Sequence, residues 1–345
     1  MENVDTLVIG AGQAGLSTAY GLRRAGAEFV VLDADDGPGG AWRHRWDSLR
    51  LDATHRVSDL PGMPFTPDDV TRPANQVVPE YYAAYEREFQ LPVRRPVHVH
   101  AVRDAAPDLL VETDRGDWTT RTLVNATGTW THPFVPAVPG RFAGRQLHVA
   151  DYPGPAAFAG QRVVVVGGGS SAVQLLLEIA PHAAATTWVT RHEPIWHDGP
   201  FTEEFGRAAV ALVDERVRAG LPPRSVVSVT GLARTPAVVA GQEAGILDRK
   251  PMFARLVPDG VEWADGTREP ADIILWATGW RAALDHLAPL HLRGPGGGIV
   301  MDGTRVVADP RIHLVGYGPS ASTIGANRAG QAAAREITRH LRAAA

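Results

Sequence analysis

Short apolar runs, each followed by a glycine turn and an amphipathic stretch, divide the start of the chain into alternating strands and helices. Residues 6–9 (TLVI) form an apolar run of the kind found in buried strands. Residues 10–15 (GAGQAG) follow as a glycine turn, residues 16–25 have helical spacing, and Gly26 ends that helix. A second apolar run at residues 29–32 (FVVL) completes a βαβ unit.

The same layout returns about half a chain later. Residues 162–166 (RVVVV) predict a strand, residues 167–172 (GGGSSA) a glycine turn, residues 173–180 a helix, and residues 187–190 (TWVT) the next strand. Two such units predict an α/β protein with two Rossmann-like, doubly wound dinucleotide-binding domains.

Other apolar runs end in small residues. Residues 123–128 (LVNATG) and 273–279 (IILWATG) both run into Ala-Thr-Gly, and residues 311–316 (RIHLVG) run into glycine. Residues 133–155 hold many of the prolines and glycines, so we interpret them as the connection between the domains. A last helix is predicted for residues 322–345.

The composition narrows the classes of function. The chain has 345 residues, of which 44% are hydrophobic and 21% charged, as is ordinary for a globular protein of about two domains. It has no cysteine, which excludes disulfide scaffolds, thiolate zinc sites, cysteine nucleophiles and dithiol redox enzymes, and we expect no metal site. The net charge of -4 indicates no nucleic-acid partner. No apolar run reaches ~18 residues and the N-terminus is unlike a signal peptide, so we expect a soluble, cytoplasmic protein without a membrane partner.

The first glycine turn has the residues that a dinucleotide requires. Gly10 permits the tight turn, Gly12 lets the backbone approach a pyrophosphate, and Gly15 allows close packing of helix on strand. The helix N-terminus then offers unpaired N–H groups and a positive dipole end to the phosphates. The alternative is a plain strand–turn–helix without a ligand.

The residue that ends the second strand of each unit indicates which nucleotide binds. Asp33 ends the first unit, and a carboxylate there accepts both ribose hydroxyls and repels a 2′-phosphate, which suits FAD or NAD. Thr190, Arg191 and His192 end the second unit without an acid. Arg191 can bind a 2′-phosphate through a bidentate, charge-assisted pair, which suits NADPH. The alternative is a solvated arginine, and His192 either assists it or has no role.

The segment between the two units carries a longer fingerprint. Residues 142–153 (FAGRQLHVADYP) match FxGxxxHxxxY/F at every fixed position, and residues 39–42 (GGAW) match a GGxW turn. Together with the glycine turns and the Ala-Thr-Gly ends, these residues resemble the class B flavin-dependent monooxygenases over nearly the whole chain. Tyr152 stands where Baeyer–Villiger monooxygenases usually carry tryptophan. It is similar to the heteroatom-oxidising branch, and the chain length is similar to the small bacterial flavin-containing monooxygenases.

The resemblance implies a fold and a reaction cycle. Residues 1–153 and 286–345 would form the FAD-binding domain, and residues 154–285 would form an inserted NADPH-binding domain, with the linker fingerprint at 142–153. NADPH reduces FAD, and the reduced flavin takes up O₂ to give a C4a-(hydro)peroxyflavin. A soft nucleophile, such as a sulfide or an amine, then attacks the distal oxygen. The protein supplies a dry, preorganised pocket and needs neither a catalytic triad nor a metal.

The resemblance also implies which residues contact the cofactors. Trp42 and Trp46 either pack on the isoalloxazine or belong to an ordinary aromatic core. A helix near Thr323 would direct its positive dipole end to the flavin pyrimidine. The implied FAD contacts are Gly10, Gly12, Gln13, Ala14, Gly15, Asp33, Gly40, Trp42, Trp46, Val99, Gly128, Gly316 and Thr323. The implied NADPH contacts are Gly167, Gly169, Ser170, Ser171, Ala172, Arg191, His192, Thr278 and Gly279.

Two residues are candidates for catalysis by the same resemblance. Asp52 lies in the segment where heteroatom-oxidising relatives keep an asparagine that helps to hold the oxygenated flavin, and the alternative is a turn aspartate. Lys250 stands where Baeyer–Villiger enzymes keep an arginine that stabilises the peroxide anion. The alternative is a surface basic pair with Arg249. His148, in the fingerprint, is expected to couple the domains rather than to act on substrate.

Other functions stay open. One is Baeyer–Villiger oxidation of ketones, and another is a flavin NADPH reductase that passes electrons to a protein acceptor such as a ferredoxin. A third is a nucleotide-binding sensor or assembly factor on an inactive flavoprotein scaffold. The expected partners are a small-molecule substrate and O₂. NADH stays open as a second coenzyme, and the resemblance is compatible with a homodimer.

Overall fold

The computed structural model describes residues 1–54, 57–198, 203–223 and 231–343, and the side chains of residues 203–210 and 323 lie outside that description. The spatial contacts between residues divide the chain into two compact units. The first comprises Met1–Thr129, Val210–Val226 and Ala282–Ala345, and the second comprises Trp130–Ala209 and Val227–Arg281. The second unit therefore interrupts the first in sequence, as in the predicted fold class.

Both units combine strands with helices. The described helices are α1 (Gln13–Arg24), α2 (Ala74–Glu88), α3 (Ser170–Ile179), α4 (Glu203–Arg218), α5 (Pro236–Glu243) and α6 (Thr323–Ala343). The described strands are β1 (Glu2–Ile9), β2 (Phe29–Leu32), β3 (Val93–Arg94), β4 (Val99–Ala105), β5 (Asp108–Thr113), β6 (Trp118–Asn125), β7 (Arg145–His148), β8 (Arg162–Val166), β9 (Ala185–Thr190), β10 (Trp196–His197), β11 (Leu232–Ala233), β12 (Arg249–Pro251), β13 (Arg255–Val257), β14 (Gly260–Glu262), β15 (Arg268–Pro270), β16 (Ile273–Trp276), β17 (Met301–Asp302), β18 (Arg305–Val306) and β19 (Ile312–Leu314).

The first unit is built on one large sheet. In the described residues this sheet has the order β17-β18-β19-β6-β1-β2-β3, and the β4-β5 hairpin is added through β6. β1 pairs in parallel with β2 and with β6, so that Leu7 lies opposite Val30 and Leu123. β19 pairs in parallel with the other side of β6. The carboxyl ends of these four strands therefore share one edge, which is where open α/β sheets bind their ligands.

The second unit contains a parallel sheet in the order β12-β9-β8-β16-β7. A small antiparallel sheet of β13, β14 and β15 and the pair β10-β11 accompany it. β7 lies inside the segment predicted as a linker, and it pairs with β16 so that Leu147 is opposite Leu275. The structure thus places this segment in the second unit, whereas the sequence had assigned residues up to 153 to the first domain. The reason is that β7 joins the sheet as a parallel edge strand on β16, so its backbone hydrogen bonds are made within the second unit.

Each apolar run that predicted a strand is buried. Leu7, Leu123 and Leu314 lie in the core of the first unit, and Val164 and Ile274 lie in that of the second. The apolar run therefore predicts these strands correctly, because a parallel strand covered on both faces has no polar side.

Helix boundaries differ from the predictions by a few residues. α3 begins at Ser170, three positions before the predicted start, because the serines already belong to its first turn. α6 begins at Thr323, and the predicted last residues, 344 and 345, lie outside the described residues. Among the helices of the described residues, none is both long enough and apolar enough to cross a membrane.

Candidate functional site

The first glycine turn joins β1 to α1 and leaves the helix N-terminus without a side-chain cap. Gly10 has a φ of 97° and donates its N–H to the Leu32 carbonyl oxygen at 2.7 Å. A Cβ on Gly15 would lie 1.9 Å from the Gly10 carbonyl oxygen, so only glycine permits this packing. The N-cap residue, Gly12, makes no side-chain cap hydrogen bond. The N–H groups of the first helical turn are therefore suited to bind an anion.

The GGxW turn lies against this glycine turn. A Cβ on Gly40 would lie 2.8 Å from the Cα of Gly12. A Cβ on Gly12 would instead meet only the Cα of Gly40, at 3.9 Å, which is ordinary van der Waals contact. Gly40 is thus required by the approach of the two backbones, whereas the space beside Gly12 is open. The two turns form a cradle of backbone atoms that fits a pyrophosphate.

The side chains of Gln13 and Ala14 are occupied by protein contacts. Gln13 Nε2 donates to the Ser58 carbonyl oxygen at 3.2 Å and to Asn327 Oδ1 at 3.4 Å. The Tyr82 hydroxyl donates to Gln13 Oε1 at 3.2 Å, and Ala14 is buried. Gln13 therefore ties α1 to α2 and α6. Contacts from these two residues to a cofactor would have to come from their backbone N–H groups.

Asp33, at the end of β2, is buried with a charged partner. Its side chain accepts a hydrogen bond from Arg95 Nε at 2.6 Å, and only 7% of the residue is exposed. Burial raises the pKa of Asp33, while Arg95 and a hydrogen bond from the Ala11 backbone oppose that rise. The sequence identified Asp33 but not Arg95, because 62 residues separate them.

Trp42, Arg45 and Trp46 form a cluster after the GGxW turn. The guanidinium carbon of Arg45 lies 5.9 Å from the ring centroid of each tryptophan. Trp46 is buried and Trp42 is half-buried. Burial lowers the pKa of Arg45 to about 10, so the side chain keeps its charge at neutral pH. The cluster combines two aromatic faces with a cation, and the sequence had predicted only the aromatic part.

The other residues predicted to contact the flavin lie where strands or helices end or begin. Gly128 follows β6, and its carbonyl oxygen accepts the Ala283 N–H at 3.0 Å. Gly316 follows β19, so these two glycines lie at the same sheet edge as the first glycine turn. Val99 begins β4 and packs against the core of the first unit. Thr323 begins α6, and its side chain lies outside the described residues.

A hydrogen-bonded chain at the end of β6 was missed by the sequence reasoning. His286 Nε2 lies 2.7 Å from Asn125 Oδ1, and Asn125 Nδ2 donates to Thr127 Oγ1 at 3.0 Å. Thr127 Oγ1 also donates to the Ala283 carbonyl oxygen at 2.6 Å. The Ala-Thr-Gly pattern marked this strand end, but Thr127 and Ala283 are 156 residues apart, so no local pattern could pair them.

The second glycine turn repeats the geometry of the first. Gly167 has a φ of 151°, and a Cβ there would lie 2.2 Å from the Ala277 carbonyl oxygen. Gly169 is the N-cap of α3 without a side-chain cap, and a Cβ on it would meet nothing within 4 Å. Ser170 and Ser171 begin the helix half-buried, and Ala172 is buried. This turn therefore also presents an open helix N-terminus to an anion.

The end of β9 collects positive charge. Arg191 and His192 are exposed there, directly after the buried Thr190. Arg249, on the neighbouring strand β12, donates through Nε to Thr190 Oγ1 at 2.6 Å and through Nη1 to Glu193 at 2.6 Å. The sequence had identified Arg191 and His192 but had placed Arg249 only in a basic pair. Its position became evident only from the parallel pairing of β9 with β12.

Asp52 and Lys250, the two catalytic candidates, lie at exposed positions. Asp52 is in the 3-10 turn Leu51–Ala53, and its backbone N–H donates to the Val70 carbonyl oxygen at 2.9 Å. Lys250 lies on β12, with Nζ 2.6 Å from Glu269 Oε2 and 5.2 Å from the ring centroid of Trp263. These contacts support the alternative interpretations, a turn aspartate and a surface ion pair.

His148 binds the second Ala-Thr-Gly end. Its Nδ1 accepts the Ala150 backbone N–H at 3.1 Å, so the proton lies on Nε2, which donates to the Gly279 carbonyl oxygen at 3.0 Å. Burial lowers the pKa of His148 and keeps the ring neutral. Thr278 Oγ1 donates to the carbonyl oxygen of Phe134. The fingerprint histidine thus fixes the loop after β16, within the second unit.

Comparison with known proteins identifies the family to which the chain belongs. Residues 7–203 match the family described as pyridine nucleotide-disulphide oxidoreductase. The structure of the flavin-containing monooxygenase from Stenotrophomonas maltophilia superposes with a TM-score of 0.85 at 39% sequence identity, and the match covers 99% of this chain and 100% of that one. The chain belongs to the flavin-containing monooxygenases. Both the predicted family and the predicted fold, with two Rossmann-like domains, are thereby confirmed.

Two curated relatives differ in the share of their own length that the chain covers. Indole-3-pyruvate monooxygenase YUCCA1 of Oryza sativa subsp. japonica is 30% identical over 315 residues, which is 80% of this chain and 76% of that protein. The uncharacterized oxidoreductase CzcO of Bacillus subtilis is 34% identical over 178 residues. The chain spans about half the length of that Bacillus relative, at 52%. Membership in the family implies flavin and NADPH as cofactors.

Replacing Lys250 with methionine should leave the turnover of the enzyme nearly unchanged. Its Nζ is bound to Glu269 on an exposed edge of the second sheet, and such pairs contribute little. We expect kcat with saturating NADPH to change by less than about twofold. Glu269→Gln is the matched control, since it breaks the same pair from the other side. A tenfold or larger loss in Lys250→Met alone would instead favour the catalytic interpretation.

Replacing His148 with alanine should destabilise the folded protein and alter how its stability depends on pH. The change removes two hydrogen bonds of a buried ring, at a cost of about 1–3 kcal/mol in unfolding free energy. Because the folded pKa is lower than that of the unfolded chain, this contribution is complete above pH ~6.5 and is lost as the pH falls.

The measurement is the difference in unfolding free energy between about pH 7.5 and about pH 5.5, obtained from denaturant titrations. The difference should be smaller in His148→Ala than in the wild type. His182→Ala, which removes an exposed histidine of the same unit, should behave like the wild type. An equal pH difference in all three proteins would contradict the neutral, doubly bonded state of His148.

Proposed function

We propose that the chain is an FAD- and NADPH-dependent monooxygenase that forms a C4a-(hydro)peroxyflavin and oxygenates soft nucleophiles, namely sulfides and amines. One observation carries the proposal. The chain has two open glycine turns, of which one is paired with a buried acid, Asp33, and the other with arginines, Arg191 and Arg249. An acid at the end of the second strand of a βαβ unit selects an unphosphorylated ribose, whereas an arginine there selects a 2′-phosphate.

In the first unit the chain's own groups suit FAD. The N–H groups at the start of α1 would bind the pyrophosphate, and Asp33 would accept the ribose hydroxyls. Trp42 and Trp46 would provide aromatic faces for the isoalloxazine. The positive charge of Arg45 would stabilise negative charge on that ring. When bound, the flavin accepts a hydride from NADPH and activates O₂.

In the second unit the groups suit NADPH. The N–H groups at the start of α3 would bind its pyrophosphate. Arg191 and Arg249 would hold the 2′-phosphate, since a guanidinium fork matches the geometry of a phosphate. His148 donates to the Gly279 carbonyl oxygen, so a hydrogen bond from a buried ring orients the loop that follows β16, beside the proposed coenzyme site.

The proposed reaction balances with a sulfide as substrate. One oxygen atom of O₂ forms the new sulfur–oxygen bond of the sulfoxide, and the other leaves as water. NADPH and one proton supply the two electrons and the two hydrogens of that water, which leaves NADP⁺. Because the flavin carries this chemistry, the protein's part is to bind, to orient and to keep water out.

Oxidation of a carbonyl compound is the second candidate. A relative that matches 80% of this chain is named for monooxygenation of indole-3-pyruvate, which is a carbonyl compound. Tyr152, at the last position of the fingerprint, supports heteroatom oxidation instead, because the Baeyer–Villiger relatives usually carry tryptophan there.

Product analysis tests the proposal. The purified protein is incubated with NADPH and O₂, in parallel with methyl phenyl sulfide and with cyclohexanone, and the products are separated by gas chromatography. We expect the sulfoxide to form faster than the lactone. Formation of the lactone alone would favour the second candidate. Rapid oxidation of NADPH with neither product would contradict both and indicate a reductase.

A further inference from the structure

Three charged side chains are buried together at the end of β2. Arg95 Nε donates to Asp33 Oδ2 at 2.6 Å. The other end of the same guanidinium donates to both oxygens of Glu86, through Nη1 at 2.7 Å and Nη2 at 2.6 Å. The exposed fractions of the three side chains are 9% for Asp33, 12% for Arg95 and 14% for Glu86. Most other ion pairs of the described residues include a side chain that is far more exposed.

The backbone fixes Arg95 beside Asp33. The Asp33 N–H donates to the Arg94 carbonyl oxygen at 3.0 Å, and the Asp33 carbonyl oxygen accepts the Val97 N–H at 2.9 Å. The partners of these two hydrogen bonds, Arg94 and Val97, precede and follow Arg95 in sequence, so the backbone around Arg95 is held against Asp33. Glu86 lies on α2, whereas Asp33 directly follows β2 and Arg95 directly follows β3, so the two carboxylates and the guanidinium come from three separate parts of the first unit.

The charges of the group explain why an arginine can lie here. A cation next to the ribose-binding acid would by itself attract a 2′-phosphate. Glu86 binds both terminal nitrogens of Arg95, so the three groups keep a net charge of about minus one and still disfavour a phosphorylated ribose. Asp35, which lies near Asp33 and is paired with His44 at 2.8 Å, adds further negative charge.

Without Arg95, the group would be unstable in its present form. Asp33 and Glu86 would then be two buried carboxylates without a cation between them, and burial already raises the pKa of Asp33. Protonation of Asp33 would weaken its hydrogen bonds to the ribose hydroxyls, because one oxygen would carry a proton and the negative charge that strengthens both bonds would be lost.

We propose that Arg95 is a positioning residue for the flavin: it holds the Asp33 carboxylate charged and oriented to accept the ribose hydroxyls of FAD, and Glu86 fixes Arg95 in that position. This inference rests on the proposed binding of FAD at the first glycine turn. It adds to that proposal two residues which no local sequence pattern marks.

A double-mutant cycle on FAD affinity tests the inference. The apoprotein of each variant is titrated with FAD, and binding is followed by the quenching of flavin fluorescence. Arg95→Met is expected to raise the Kd for FAD about tenfold or more, because it leaves buried charges without a partner. In an Asp33→Asn background the same change should alter the Kd by less than about twofold, because the carboxylate that Arg95 serves is already absent.

Two further variants separate positioning from packing. Arg95→Lys restores the charge without the planar fork, so we expect an intermediate Kd. Arg103→Met is the matched control, because it removes an exposed arginine from the same unit that is paired with Glu112 at 3.0 Å, and its Kd should equal that of the wild type. Thermal unfolding of each apoprotein reports any change in the fold. If Arg95→Met does not fold, Arg95→Lys takes its place in the cycle.

The outcomes distinguish this inference from the function on which it rests. Equal losses of affinity from Arg95→Met in both backgrounds would mean that Arg95 acts through packing alone, and would overturn the inference. So would unchanged affinity in Arg95→Met when Asp33→Asn weakens binding. If Asp33→Asn itself binds FAD like the wild type, the assignment of FAD to the first glycine turn is wrong.

Discussion

Gly12→Ala protein is expected to purify without flavin while it keeps its fold. Gly12 has ordinary extended backbone angles, with φ -80° and ψ -170°, so alanine adopts its conformation without strain. Its Cβ would contact only Gly40 Cα, at 3.9 Å. The new methyl group therefore disturbs little of the protein itself. It occupies the open space beside the helix N-terminus, where we propose that the pyrophosphate binds, and we expect the Kd for FAD to rise about 10- to 100-fold.

Gly169→Ala is the matched control from the second glycine turn. Its Cβ meets nothing within 4 Å, so this variant should also fold. It should retain FAD but bind NADPH weakly, whereas Gly12→Ala should lose FAD and still bind 2′,5′-ADP. Flavin content is measured by absorbance after denaturation, and coenzyme binding by calorimetry. A yellow Gly12→Ala protein with normal flavin content would contradict the proposal that the first glycine turn binds FAD.

Arg191→Ala is expected to abolish most of the preference for NADPH over NADH. Arg191 is exposed at the end of β9, where a guanidinium can reach a 2′-phosphate. Loss of a charge-assisted bond to a phosphate lowers kcat/KM for NADPH about 10- to 100-fold, while kcat/KM for NADH should change little. Steady-state kinetics with both coenzymes measures the two values.

Alanine substitutions of Arg249 and Arg234 serve as comparisons for Arg191→Ala. Arg249 is already bonded to Thr190 and Glu193, so Arg249→Ala should lower kcat/KM for NADPH by a smaller factor. Arg234, an exposed arginine of the same unit at 3.9 Å from Asp198, should have no effect when it is replaced with alanine. Equal losses with NADPH and NADH in Arg191→Ala would show that this arginine does not read the 2′-phosphate.

The parts of the fold that could be predicted from the sequence depend on short stretches of chain. The strand 29–32 and the turn before α1 are local patterns, since four apolar residues and three spaced glycines suffice to specify them. Asp33 was predictable for the same reason, because it directly follows a recognisable strand. The structure agrees with each of these positions, although their contacts with cofactors stay predictions.

The contacts that the sequence did not reveal depend on pairing between distant elements. Arg95 reaches Asp33 because β3 lies beside β2, and Arg249 reaches Thr190 because β12 lies beside β9. β3 has two residues and β12 has three, which is too short for a periodic pattern. The structure groups the fingerprint segment with the second unit and not with the first for a similar reason, since its proline- and glycine-rich flanks made the four-residue strand β7 difficult to recognise.

Transfer of oxygen from isotopically labelled O₂ to a sulfide would show whether the protein is an oxygenase. The protein is supplied with FAD, NADPH, labelled O₂ and methyl phenyl sulfide, and mass spectrometry of the sulfoxide is combined with the amount of NADPH consumed. We predict one labelled oxygen atom in each sulfoxide and about one NADPH oxidised for each molecule of sulfoxide formed. Oxidation of NADPH that yields only hydrogen peroxide, with no labelled sulfoxide, would contradict oxygenation of the sulfide.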